Sequence, residues 1–165
     1  MKLYRFSPIT NKEKLRESVE YIAAQNSELC KKVTGTVLPI ISLTVFAHYD
    51  EEYKFLCELL AAMGEPVGEN NGPRVALIEP ILAAGHTITH LRIRNPDPYR
   101  AHVGCNDFEV ANYAEFKNTY LNAHSKNLRL IVRADYELIE FFDPDYDVLA
   151  YVLSKPGKSK TGLTS

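Results

Sequence analysis

The segment His90-Leu91-Arg92-Ile93-Arg94 is where residue type and spacing point most directly to chemistry. Read as a strand, it alternates, so Leu91 and Ile93 turn to a helix layer and His90, Arg92 and Arg94 to the opposite face. The same rule buries Ile41, Leu43 and Val45 and turns Ser42 and Thr44 the other way, while Asp107 and Glu109 project from a further strand. A sheet curled into a cup would then carry two hydroxyls, an imidazole and two guanidiniums on one face. That set suits a small ligand with an anionic group, because Arg offers paired donors to carboxylate or phosphate. The expected ligand-binding residues are therefore Ser42, Thr44, His90, Arg92, Arg94 and Glu109. The plainer reading pairs Arg92 and Arg94 with Glu109 and other acids on a solvated sheet face.

Other candidates are weaker in spacing. His86 and His90 would share a metal on a helix, but on a strand their alpha carbons stand roughly 13 Å apart. His90 could also serve as a general base, given a substrate and an orienting acid. Cys105, between Gly104 and Asn106, would be a nucleophile only if Arg92, His90 or His102 lowered its pKa. The proline-rich loop from Asn95 to Gly104 carries Tyr99, Arg100 and His102, and reads equally as a pocket rim or as a crossover between two halves. No Walker loop, GxGxxG, GxSxG, HExxH or paired CxxC occurs, so nucleotide-fold enzymes, serine hydrolases and zinc proteases find no support.

The elements that must position these residues follow from periodicity. Thr10 to Val33 reads as a helix opened by a Thr10–Glu13 capping box and ended by Gly35. Pro39 to Phe46 is a strand, and Asp50 to Met63 a helix with Tyr53, Leu56, Leu60 and Met63 inward and Gly64 as its stop. Strands follow at Arg74–Leu82, Thr87–Arg94 and Asp107–Val110, then a helix at Tyr113–Leu121. Strands at Leu128–Val132, Glu137–Phe142 and Val148–Leu153 close the series, and the tail from Lys155 onward reads as disordered. The 165 residues fit one domain, 45% hydrophobic and 24% charged. A net charge of −2 argues against a general nucleic-acid surface. Three cysteines without knuckle spacing suggest a reducing compartment. With no apolar region after Met1–Arg5 and no run of ~20 apolar residues, neither a signal peptide nor a membrane span is expected, and the default location is cytoplasmic.

The element order is roughly a βαβββ block followed by a second of the same form, sharing the strand around Phe108. With Phe141-Phe142-Asp143-Pro144-Asp145-Tyr146-Asp147-Val148-Leu149, it resembles the vicinal-oxygen-chelate superfamily of glyoxalase I, extradiol dioxygenases and bleomycin-resistance proteins, whose closing element is an aromatic-x-Asp-Pro-Asp-Gly turn. Ile41-Ser42-Leu43 and the Pro66 to Pro80 stretch are similar to the YecM-like branch, which also carries a leading helix. The resemblance covers residues 37 to 153. It implies an α+β fold, tandem βαβββ units forming a curved mixed sheet (a cup) with helices outside. It divides the chain into an N-terminal helical extension (1–36), that domain (37–154) and a tail (155–165). The family's metal-binding His, His and Glu positions fall at Ile40, Cys105 and Ala150, a set ill-suited to a divalent ion.

Three functions therefore stand at this level. The first is a metal-independent cup, leaning away from an enzyme, that binds a small anionic molecule. The second is a divalent-metal lyase, isomerase or dioxygenase with displaced ligands His90, Glu109 and Glu140. The third is a protein-interaction module using the Thr10 to Val33 helix or an open sheet edge. The resemblance also makes a homodimer plausible.

Overall fold

A computed structural model of the chain describes residues 4–155. Eight strands form one open, curved mixed sheet, with three helices. The first helix, α1, spans Lys12–Thr34, followed by β1 (Ile40–Phe46), α2 (Asp50–Met63), β2 (Gly64–Glu69), β3 (Pro73–Ala83) and β4 (His86–Arg94). The second half repeats the order: β5 (Gly104–Phe108), α3 (Tyr113–Tyr120), β6 (Leu128–Val132), β7 (Glu137–Phe141) and β8 (Val148–Leu153). The sheet order is β2-β3-β4-β1-β5-β8-β7-β6. In each half the fourth strand returns parallel beside the first, β4 to β1 and β8 to β5, and the halves meet at the antiparallel β1–β5 pair.

The two βαβββ units therefore share no strand. The strand that completes the first unit is β2, which periodicity does not announce because Gly64-Glu65-Pro66-Val67-Gly68-Glu69 has neither alternation nor β-branched density. Other boundaries moved by local chemistry. Asn11, not Thr10, caps α1 and accepts from the Lys14 amide at 2.8 Å. Gly35 ends that helix in the left-handed region as expected, whereas Gly64 leaves α2 in extended backbone that enters β2 directly. The strand expected at Asp107–Val110 lies further upstream, at Gly104–Phe108. The tail beyond Lys155 lies outside the described residues.

One core lies between the sheet and the helices. From α1 it takes Leu15, Val19, Ile22, Ala23 and Leu29, and from α2 it takes Leu56 and Leu60. The strands contribute their alternate residues: Leu43 and Val45, Leu91 and Ile93, Ile139 and Phe141, then Val148, Ala150 and Val152. Ile41 departs from its expected place. A bulge between Ile40 and Ser42 puts Ile40 in the core and leaves Ile41 half-buried. The Asp-Pro-Asp turn is built as its residues suggest: Asp143 accepts from the Asp145 amide at 2.9 Å and from Lys32 at 2.5 Å, which ties the turn to α1.

Helix α1 is fixed by a polar contact as well as by its apolar stripe. Buried Asn26 donates through Nδ2 to Asn106 Oδ1 at 2.5 Å and to the Leu149 carbonyl at 2.8 Å, so one amide holds the helix to β5 and β8 together. Asn26→Ala strands both acceptors in the core and should lower stability by about 1–3 kcal/mol, read as an earlier urea midpoint with unchanged m-value. An unchanged midpoint would show that the contact does not hold the helix.

Candidate functional site

The face of the sheet away from the helices encloses a cavity of about 630 Å³. Strand parity decides its lining. β1 contributes Ser42, Thr44 and Phe46, β4 contributes Arg92 and Arg94, and β5 contributes Cys105 and Asp107. From the far half come Tyr151 and Leu153 of β8, Leu138 and Glu140 of β7, and Arg129, Ile131 and Arg133 along β6 and just past its end. The register sets Arg92 beside Thr44 and Arg74, and Arg94 beside Phe46.

Charge in this cup runs against that of the chain. Five guanidiniums, Arg92, Arg94, Arg100, Arg129 and Arg133, line it against two carboxylates, Asp107 and Glu140, in a protein of net charge −2. Glu140 is already engaged, receiving Arg129 Nε at 2.6 Å. Arg94 lies over the Phe46 ring at 3.5 Å and is 3.9 Å from Asp97, while its Nη2 is buried without a hydrogen-bond acceptor. Arg74 is buried beside Arg92, its Nε likewise without an acceptor. Burial lowers the pKa of all three, and that of Arg74, next to the Arg92 charge, falls to about 10. They remain cations at neutral pH, held in a place that disfavours charge.

Two loops rim the cationic end. The β2–β3 turn brings in Asn70 and Asn71. Gly72, at φ +109, is fitted so closely that a Cβ would stand 1.9 Å from the Ile93 carbonyl oxygen, and the Asn95 amide bonds Asn71 O at 3.2 Å. The Asn95–Gly104 loop is both crossover and rim, since it joins the halves and supplies Arg100. The N-terminal segment braces that loop: the Tyr4 hydroxyl donates to the Pro98 carbonyl, and Tyr4 stacks on His48 at 4.0 Å. His48 Nε2 donates to the His102 carbonyl at 3.1 Å, which leaves Nδ1 to accept from the Ser7 hydroxyl at 2.6 Å.

The residues expected from sequence divide accordingly. Ser42, Thr44, Arg92 and Arg94 come together on the cavity wall. His90 shares their row, opposite Ser42, but is half-buried with Nδ1 against the Thr89 hydroxyl at 2.8 Å and does not line the cavity. Glu109 is displaced furthest. Its strand ends at Phe108, its amide bonds Pro39 O, and it borders a shallow groove beside α3 instead. Cys105 faces the cup, but burial pushes its thiol up to about 12, with Asp107 adding to the rise. That direction is opposite to the one a nucleophile needs. His86 is held at the start of β4, by Ser27 at 2.7 Å and the Ile40 amide at 3.2 Å.

Sequence reasoning missed Arg74, Arg129, Arg133 and Tyr151. The spacing of Arg129, Ile131 and Arg133 is the same every-second-residue signal as at His90–Arg94 and would have found the contribution of β6. Arg74 reaches Arg92 only through the β3–β4 register, which no local pattern carries.

The donor set does not fit the metal that the superfamily resemblance implies. Ile40 and Ala150 face the helix-side core, and the Cys105 thiol is protonated at neutral pH. His90, Glu109 and Glu140 are not brought together. Among the described residues no group of three or more His, Cys, Asp or Glu side chains is placed to share an ion.

Fold and site define an α+β protein of two βαβββ units around an open cup with a cationic wall. Comparison with solved structures finds the same fold in one described as "Structural Genomics, Protein EC4020". That chain is 12% identical, with a TM-score of 0.63 over 93% of this chain and 91% of the other. A methylmalonyl-CoA epimerase from Mycobacterium tuberculosis matches at 11% identity and a TM-score of 0.34, over 70% of this chain and 86% of that one. No protein-family model and no curated protein sequence matches the chain. Among the described residues no helix is long and apolar enough to cross a membrane.

The bracing of the rim has a pH signature. Burial lowers the pKa of His48, His86 and His102 in the folded chain, so unfolded imidazoles take up protons first as pH falls below about 6.5. Stability should therefore fall as pH drops from about 7.5 to about 5.5, above the range in which carboxylates titrate. His48→Asn, which keeps an acceptor for Ser7, should flatten that slope in urea titrations. An unchanged slope in the variant would remove His48 from the account.

Proposed function

We propose that the cup binds a small anionic molecule and does so without a metal ion. The observation that carries this reading is the pair of half-buried guanidiniums, Arg92 and Arg94, that β4 places on the cavity wall. Arg94 lines the cavity with Nη2 buried and lacking a hydrogen-bond acceptor, and the lining as a whole sets five cations against two carboxylates. Desolvated cations destabilise a fold unless something neutralises them. A carboxylate or phosphate is the group whose geometry matches a guanidinium fork. Ser42 and Thr44 add hydroxyls beside the same wall. Tandem βαβββ topology and the Asp-Pro-Asp turn support a place among vicinal-oxygen-chelate proteins, with the YecM-like branch as the nearer likeness. On this reading the chain is a cytoplasmic ligand-binding protein whose cup has exchanged metal ligands for arginines.

The test is thermal unfolding in the presence of small carboxylates and phosphates. A ligand at about a hundred times its Kd should add about 2.7 kcal/mol of stability. Arg94→Met should abolish that gain while leaving the unliganded protein as stable as before or more so, because it removes a buried charge and keeps contact with Phe46. Absence of any shift across both ligand classes, or a shift that Arg94→Met leaves intact, would sink the proposal.

A further inference from the structure

The cavity is not uniformly polar, and its second half is what Arg92 and Arg94 do not explain. Along β8 the core takes Val148, Ala150 and Val152, so Leu149, Tyr151 and Leu153 turn to the cup. Along β7 the core takes Ile139 and Phe141, and Leu138 turns to the cup with Glu140. Leu138, Leu149 and Leu153 are 6%, 4% and 4% exposed yet belong to no part of the helix-side core. The register sets Leu138 beside Leu153 and also beside Ile131 on β6. An apolar patch thus lies on the ligand side of the sheet, at the opposite end from Arg92 and Arg94, with Arg129 and Arg133 on either side of Ile131.

Between the two ends runs a polar belt. Asp107 and Tyr151 are cross-strand partners, as are Tyr151 and Glu140. Burial, with Cys105 and Glu140 nearby, raises the Tyr151 pKa, so its hydroxyl is a neutral donor at the middle of the cup. Beyond the belt Arg129 is paired with Glu140, and Arg133 stands exposed at the rim. From β4 to β8 is three strand spacings, roughly 14 Å along the curved sheet. The cavity is therefore longer than a bare phosphate or acetate needs.

We infer that the ligand is an amphiphilic anion, with its acidic head on Arg92 and Arg94 and an apolar body on Leu138, Leu153 and Ile131. This rests on the anion-binding reading and adds a second requirement to it. A compact anion would satisfy the arginines but leave the cavity beside Leu138, Leu153 and Ile131 unfilled. A neutral apolar molecule would cover the patch but offer the buried Arg94 Nη2 no charge.

Titration calorimetry of the full chain with acetate, octanoate and octanol separates these cases. Octanoate should bind roughly tenfold or more tighter than acetate, reflecting burial of its chain, and octanol should bind more weakly than octanoate. Arg94→Met should weaken both anions. Ile131→Ser, at a half-buried position with little weight in folding, should weaken octanoate and leave acetate unchanged. In the unmodified protein, amide shifts at Leu138 and Leu153 should respond to octanoate and not to acetate, a readout that needs no variant. Equal affinity for acetate and octanoate would overturn the amphiphile inference while leaving the anion site standing. So would octanoate binding without shifts at Leu138 and Leu153, or octanol binding as tightly as octanoate. Binding of neither anion would overturn both readings.

Discussion

A sheet covered by helices on one face only must sort its side chains two by two, and everything else in this protein depends on that sorting. Along β4 the rule sends Leu91 and Ile93 into a core closed by α1 and α2, and sends Arg92 and Arg94 to the other side. The aliphatic residues gain from burial against the helices, and that gain fixes the register with no regard to what the intervening residues want. The guanidiniums are thereby carried into a half-buried, partly desolvated position that they would not choose in isolation. Curvature of the sheet then turns a row of such residues into the wall of a cavity rather than a flat solvated surface.

The two βαβββ units give this cavity its polarity. The first unit supplies Arg92 and Arg94 of β4, and the second supplies the leucines of β7 and β8 together with Arg129 and Arg133. Because the halves meet at the antiparallel β1–β5 pair, Thr44 lies opposite Cys105 and Ser42 opposite Asp107 at the seam. The cationic end is also the end that the loops hold. Gly72 allows the β2–β3 turn to lie against Ile93, and Tyr4, Ser7 and His48 secure the crossover that presents Arg100. Glu52 joins this brace, accepting from the amides of Ile9 and His48 at 2.7 and 2.8 Å. Stability of the rim and shape of the cup are in this way two consequences of the same contacts.

The metal-ligand positions suggested by the superfamily resemblance illustrate how little a topology says about chemistry. Ile40 and Ala150 are apolar and point into the helix-side core, where a ligand could not reach them. Cys105 does face the cup, but as a half-buried neutral thiol. What the curved sheet offers in their place is positive charge fixed to rigid strands.

Much of this is legible in the residues themselves. The α1 and α2 stripes, the alternation in β4 and the Asp-Pro-Asp turn are local patterns, and local patterns follow from the 3.6- and 2-residue periods of helix and strand. For the same reason the spacing of Ser42, Thr44, Arg92 and Arg94 is enough to put them on one face. Three features lie beyond local spacing. The bulge that displaces Ile41, the end of β5 at Phe108 that takes Glu109 out of the cup, and the pairing of Arg74 with Arg92 are matters of register between segments distant in sequence. Strand β2, with two glycines and a proline, exists because β3 offers it a ladder and not because its own residues prefer to extend. The sequence by itself determined which side chains alternate, while only the tertiary structure decided which strands lie side by side, because pairing energies depend on partners that no local window contains.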